Sequence, residues 1–182
     1  QWLSLRLEEL GIRVLYHTTV GDELDAITDV FRRAIERADV IIATGGLGPT
    51  ADDLTRQAIA AAAGVKLVMN EEALAHVRSI FARRNYPMPR TNEVQALLPE
   101  VARMIRNPNG TAPGVEMAID RKGVRTHFPQ RPDQPSVGAR CFAEKSPDPF
   151  SGVSHLYALP GVPAEMREMW YDSLEASLRE IG

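Results

Sequence analysis

A single cysteine, Cys141, leaves this 182-residue chain without a partner for an intramolecular disulfide and without a cysteine-rich metal site. The four histidines, His17, His76, His127 and His155, make neither an H-x-x-x-H nor an H-E-x-x-H pattern, which excludes the common zinc-enzyme signatures. An excess of basic charge is missing too. The 21 Lys and Arg are set against 24 Asp and Glu, for a formal net charge of −3, so nucleic acid is not an expected partner. No apolar run approaches the roughly 20 residues of a membrane-spanning helix, and no secretory signal is visible, so no membrane partner is expected and a cytoplasmic setting is the default. Internal repeats are absent. What remains is 44% hydrophobic and 25% charged. That is the balance of an ordinary globular chain, long enough for one domain with a real core.

Apolar side chains at helical spacing in Trp2-Leu3-Ser4-Leu5-Arg6-Leu7-Glu8-Glu9-Leu10 predict a helix that stops at Gly11. Residues 12–18 read as a strand, and 22–38 as a helix with Leu24, Ile27, Phe31, Ala34, Ile35 and Ala38 along one stripe. The run Asp39-Val40-Ile41-Ile42-Ala43-Thr44 reads as an interior strand of a parallel sheet, covered on both faces. A helix over 52–63, a strand over 65–69 and a helix capped by Asn70 follow, and prolines 87, 89 and 99 then break the chain into short pieces. Residues 115–119 and 123–127 read as a hairpin, 156–159 as a last strand, and Pro163 opens a final helix with Met166, Met169, Trp170, Leu174 and Leu178 inward. Met166, Met169 and Trp170 read as core rather than a cofactor box. The alternation of strand and helix predicts an α/β fold, a three-layer sandwich with a mainly parallel sheet. Residues 128–154 carry five prolines and little apolar periodicity, and are expected to be a peripheral loop inserted into a hairpin, with Cys141 a bystander in it.

A strand that delivers Gly45-Gly46-Leu47-Gly48-Pro49-Thr50 into a helix has the form of an anion-binding turn. Glycines permit close backbone approach, and free N–H groups at the helix start supply donors. A tight strand-to-helix turn without a ligand uses the same residues. Position separates the two readings, because open α/β sheets bind ligands at the carboxyl ends of strands. No lysine follows the glycines, which excludes a Walker loop. Gly46, Gly48 and Ala51 fit G-x-G-x-x-A with Glu71 at the spacing of a ribose-binding acid, but Pro49 stiffens the turn and Glu71 suits the start of its own helix.

The extended run Gly45-Gly46-Leu47-Gly48-Pro49-Thr50-Ala51-Asp52-Asp53-Leu54-Thr55 resembles the GG-x-G-x-x-x-x-D-x-T signature of the MogA/MoaB-like molybdopterin-binding (MoCF) family. Its GLGPT-x-DD-LT form is similar to that of CinA-like, competence- and damage-inducible proteins. Thr19-Val20-Gly21-Asp22, Asn92-x-x-Gln95-Ala96-x-Leu98-Pro99, Asn107-Pro108-x-Gly110-Thr111-Ala112-Pro113-Gly114 and Leu159-Pro160-Gly161-Val162-Pro163-x-Glu165-Met166 continue the resemblance in order. It covers 1–182 as a single domain, apart from the 128–154 insertion. It implies that a first strand with a Gly-Asp-Glu-Leu segment is missing ahead of Trp2, so that the sheet lacks a strand near its centre. The C-terminal amidohydrolase domain of CinA is also not in this chain, and its deamidation is not ascribed to it.

The resemblance further implies a pocket for a small-molecule nucleotide or pterin. Thr44, Gly45, Gly46, Leu47, Gly48, Pro49 and Thr50 would form one wall, Asn107, Gly110 and Thr111 another, and Gly161, Val162 and Pro163 a third. Asp53 and Asp22 would be its catalytic carboxylates, with Asp53 holding a divalent ion such as Mg2+ or orienting a water. Read locally, Thr50-x-x-Asp53 is a capping-box spacing, Asp22 an N-cap, Asp52 a solvated first-turn acid and Glu165 a helix-dipole partner. The implied activity is metal-dependent hydrolysis of a nucleotide diphosphate such as ADP-ribose, in the manner of an ADP-ribose pyrophosphatase. Molybdopterin binding or adenylyl transfer is the enzymic alternative, and a ligand-binding domain without turnover the other. The family also implies a homo-oligomer.

Overall fold

The computed structural model describes residues 1–121 and 152–181. The expected strand at 123–127, most of the 128–154 segment and Cys141 lie outside the described residues.

Helix α1 (Trp2–Glu9) ends where Gly11, at φ +77°, turns the chain. Helix α2 (Leu24–Arg37) buries Ile27, Phe31 and Ile35 and leads through Ala38 into β1 (Val40–Thr44). A ten-residue glycine-containing loop then precedes α3 (Thr55–Ala63), which Gly64 closes in the left-handed region. Strand β2 (Leu67–Met69) is followed by α4 (Glu71–Arg83), capped as expected by Asn70, whose side chain accepts from the Ala73 N–H. A 3-10 turn over Arg90–Ala96 leads to β3 (Leu97–Pro99), β4 (Arg103–Ile105), β5 (Gly114–Asp120) and β6 (Val153–Leu159). The chain finishes in α5 (Pro163–Met169), a π turn over Trp170–Leu174, and α6 (Glu175–Ile181).

Four strands form one sheet in the order β1-β6-β5-β4. β1 and β6 run parallel with Thr44 opposite Leu159, whereas β5 is antiparallel to both β6 and β4. β2 and β3 make a separate antiparallel ribbon. Side chains alternate across the main sheet. Leu156 and Ala158 of β6 join Ile41, Phe31, Ile59 and Leu74 in one core, while Tyr157 and Leu159 join Leu7, Trp170, Leu174 and Leu178 in the other. Helices α2, α3 and α4 thus cover one face and α1, α5 and α6 the other. The α/β sandwich of three layers is as expected, with mixed strand directions.

Four local expectations change. The 39–44 run was expected to be interior, yet among the described residues β1 ends the sheet, with β6 its one ladder neighbour. Its apolar character comes from helices on both faces, and periodicity reports faces rather than edges. Residues 12–18 form no strand. Ile12 and Val14 still pack on the second core and Tyr16 lies 3.8 Å beneath the Arg37 guanidinium, but β-branched residues make a strand only where a ladder takes their N–H and C=O groups. The helix after the glycine loop begins at Thr55 rather than Asp52, so both aspartates belong to the loop. Lastly, Val153 and Ser154, expected in the inserted loop, belong to β6. Ser154 is fully buried, with its hydroxyl hydrogen-bonded to the Ile35 and Ala38 carbonyls.

Candidate functional site

Parallel pairing carries β1 and β6 to the same end of the sheet, and each strand then runs into a glycine turn. The Gly45 N–H donates to the Leu159 carbonyl at 2.9 Å, one residue beyond the last β1–β6 pair. A Cβ added to Gly161 would stand 3.3 Å from the Gly45 Cα, so the two turns touch through backbone alone. Gly45 and Gly46 have φ of +95° and +66°. Their reversal returns the chain onto the start of α3, where the Thr55 hydroxyl donates to the Gly45 carbonyl and the Thr55 N–H to the Gly46 carbonyl.

Arg56 fixes the rest of the loop. Its side chain is only 2% exposed, and its guanidinium donates from Nη1 to the Leu47 carbonyl at 2.5 Å and from Nη2 to the Gly48 carbonyl at 2.8 Å. Burial lowers the Arg56 pKa and the Asp53 charge raises it. Asp53 lies across the outer side of the same loop. Its Oδ2 accepts the Thr50 N–H at 2.9 Å and the Thr50 hydroxyl. Partial burial pushes the Asp53 carboxyl up, but hydrogen bonds from the Thr50 side chain and from the backbone of Thr50 and Gly48, with the Arg56 charge, leave it below the ordinary carboxylate value. Asp53 is therefore an ionised acceptor that ties the loop to itself and does not cap a helix.

A third segment meets the second turn. Asn107 is fully buried, and its Nδ2 donates to the Ala112 carbonyl at 2.9 Å and to Glu165 Oε2 at 2.7 Å. Its Oδ1 accepts the N–H groups of Asn109 and Gly110. All four hydrogen-bonding positions of that amide are used, so Asn107 shapes the turn and offers nothing further to a ligand. Gly110 is required by the same contact, since a Cβ there would lie 2.1 Å from Glu165 Oε2. Thr111 is half-buried and Val162 is exposed, while Pro163 opens α5 without needing an N–H partner.

The residues expected in the pocket thus divide. The 45–50 loop, Asp53 and the 161–163 turn converge at the carboxyl ends of β1 and β6, and Glu165 brings the 107–111 turn beside them. Asp22 does not cap α2, whose N-cap is Glu23, and it is exposed. Among the described residues no three His, Cys, Asp or Glu side chains converge where they could hold a metal ion. The divalent ion implied by resemblance therefore has no ready cage among the described residues. A cavity of about 70 Å3 with Ile105, Glu116, Tyr157, Ser173 and Ser177 on its walls lies toward the other core, and is too small for a nucleotide. No helix is long and apolar enough to cross a membrane among the described residues. Sequence reasoning missed Arg56. Its signal is a lone charge at the start of the otherwise small and apolar Ala58-Ile59-Ala60-Ala61-Ala62-Ala63 helix.

Two glycine turns, one of them held by a buried cation, thus stand together at the carboxyl ends of adjacent parallel strands, the position where open α/β sheets commonly bind ligands. The chain belongs to the MoCF_biosynth family, described as a probable molybdopterin binding domain, whose model matches residues 1–180. It is 40% identical over 182 residues to a CinA-like protein of Gloeobacter violaceus, covering 100% of this chain and 35% of that protein. It is 37% identical over 179 residues to a putative competence-damage inducible protein of Geobacillus kaustophilus, covering 98% and 36%. The crystal structure of the protein CinA from Thermoplasma acidophilum, described as of unknown function, is similar with a TM-score of 0.71 and 28% identity, over 97% of this chain and 85% of that one. The chain spans about a third of the length of the curated relatives named here.

Proposed function

We propose that this domain binds a phosphate-bearing small molecule, a nucleotide diphosphate such as ADP-ribose, in the crevice between the 45–50 loop and the 161–163 turn, and hydrolyses its diphosphate. The observation that carries the reading is the contact of Gly45 with Gly161 at the ends of parallel β1 and β6, above the buried Arg56. A glycine loop that already holds an anion, the Asp53 carboxylate, beside a buried positive charge favours a phosphate more than a neutral group. In the reaction, water adds to one phosphorus, the P–O–P bridge breaks, and the two phosphomonoesters leave. In this reading Asp53 is the carboxylate that orients that water. No step is assigned to a metal, because the described residues do not build a centre for one.

Product analysis tests this directly. ADP-ribose incubated with the protein, with and without Mg2+, is expected to give AMP and ribose 5-phosphate, and Asp53→Asn to lose most of that turnover. Equal turnover by Asp53→Asn would remove Asp53 from the reaction. Absence of turnover by the parent, with binding retained, would leave a ligand-binding domain. A pterin ligand is the second reading, favoured by the family's description as a probable molybdopterin binding domain. Binding of molybdopterin, with adenylyl transfer from ATP, in place of ADP-ribose would decide for it.

A further inference from the structure

We propose that the Gly48 and Thr50 donors form one anion seat with two alternative occupants, the Asp53 carboxylate and a phosphate of the ligand, and that Arg56 is the positioning cation beneath it. This rests on the phosphate reading above, and concerns what the loop does before a ligand arrives.

The geometry of the peptide unit carries the argument. In a planar trans peptide the carbonyl of one residue and the N–H of the next point in opposite directions. No described peptide bond is cis. Because Arg56 holds the Leu47 carbonyl from below, the Gly48 N–H points away from it, and the Asp53 carboxylate lies close against Gly48. Pro49 has no N–H, so the Gly48 carbonyl is drawn to Arg56 without aiming another donor outward. The Thr50 N–H and hydroxyl complete the set, and both meet Asp53 Oδ2. The carboxylate lies close against Gly48. A Cβ on Gly48 would lie 2.4 Å from Oδ2 and 2.9 Å from the carboxyl carbon, so glycine at 48 is what admits it.

A glycine loop whose donors face an anion, backed by a buried guanidinium, is thus already filled by the chain's own negative charge. Arg56 is too enclosed to reach a ligand, but its charge must be balanced wherever it lies. Asp53 balances it in the free protein, and a phosphate can do so in the complex. The two anions cannot share the seat, since like charges at that distance repel. Binding of phosphate therefore unseats Asp53 and leaves its carboxylate beside the bound group, free to face a water.

The test uses inorganic pyrophosphate as the probe, in buffer containing a chelator, by calorimetric titration at neutral pH. Asp53→Ala and Asp53→Asn are expected to bind it about fivefold or more tightly than the parent, since the competing anion is gone. Arg56→Gln is expected to weaken binding about tenfold or more. Arg56→Lys, which keeps the charge without the two-pronged grip, should bind more tightly than Arg56→Gln at a matched melting temperature. Tighter binding by the Asp53 variants supports the shared seat even where an Arg56 variant fails to fold. Unchanged or weaker binding by both Asp53 variants, when the parent binds, overturns it while leaving the phosphate reading intact. Equal affinity of Arg56→Lys and Arg56→Gln overturns the role of the Arg56 charge. Absence of binding by parent and variants alike overturns the phosphate reading together with the shared seat.

Discussion

Asn107 and Glu165, 58 residues apart in the chain, meet through a 2.7 Å hydrogen bond from Nδ2 to Oε2 beside the glycine turns. The bond joins the turn after β4 to the helix after β6, and so sets the spacing between the 107–111 and 161–163 turns. Removing the amide strands the buried Ala112 carbonyl and Gly110 N–H, and also frees the half-buried Glu165 carboxylate and the exposed Asn109 N–H. An unsatisfied buried group costs about 1–3 kcal/mol. Asn107→Ala is therefore expected to lower unfolding stability by roughly 3 kcal/mol, whereas Glu165→Gln, which keeps an acceptor, should cost about 1 kcal/mol or less. Urea unfolding of both variants checks the order. Equal and small losses would mean that the turn stands without Asn107.

Gly46 and Gly11 separate two causes of glycine dependence. Both have positive φ, +66° and +77°, but a Cβ at Gly46 would lie 2.2 Å from the Thr55 hydroxyl oxygen, while nothing lies within 4 Å at Gly11. Gly11→Ala is expected to cost about 1–2 kcal/mol from backbone strain alone. Gly46→Ala should cost at least about 1 kcal/mol more, because Thr55 must surrender its bond to Gly45. The difference between their urea midpoints measures that contact, and identical midpoints would deny it.

Acid should loosen the fold through two histidines. Burial pushes His76 below the ordinary imidazole value; a hydrogen bond to the Gly110 backbone opposes the shift, nearby Arg106 and Arg83 reinforce it, and Glu72 opposes it. Burial also lowers His155, against the charge of Asp39. With folded pKa values below the unfolded value of about 6.5, the unfolded chain binds protons first as pH falls. Stability is then full above about pH 6.5 and is lost as pH falls through the folded values. Unfolding free energies at pH 7.5, 6.5 and 5.5 should decline in the parent, and less so in a variant carrying His76→Asn and His155→Asn. A flat parent profile would contradict this.

The ends of the long connection between β5 and β6 already face each other. Asp120 pairs with Val153, and the Arg121 N–H reaches the Gly152 carbonyl. Replacing residues 122–151 by a short glycine-containing turn should therefore leave the melting temperature within a few degrees of the parent, since loop closure changes by only about 1–2 kcal/mol over such a length difference. A cooperative transition lost or moved far downward would show that the segment contributes to the core.

Much of the fold was legible because its signals are local. The apolar stripe of α2, Asn70 ahead of α4, Gly11, Gly64 and Pro163 each act within a turn or two of the backbone. Of the candidate site, the 45–50 loop and the 161–163 turn were legible as strand-glycine-helix patterns, and the structure brings them together. What escaped depends on distant partners. Residues 12–18 have strand composition but no ladder, and Val40 to Thr44 read as interior although only helices, above and below, supply the cover. Glu165 looked like a dipole partner, while its bond to Asn107 depends on a tertiary meeting that spacing does not encode. Arg56 was hidden because a charged residue in a first helical turn is ordinarily solvated, and only the backbone carbonyls of the loop make its burial acceptable.

Strand β6 is shared property. It lies between a parallel and an antiparallel neighbour, and successive residues face different cores, Leu156 and Ala158 one way and Tyr157 and Leu159 the other. A slip of one residue would exchange the two sets, sending the Tyr157 ring among the small side chains of Ala58 and Ala63 and leaving an alanine opposite Trp170. It would also carry Gly161 out of step with Gly45 and part the two turns. Length changes between β5 and β6 are therefore harmless only where they end before Val153, and a single residue inserted within β6 would disorder both interiors and the meeting of the two turns in one stroke.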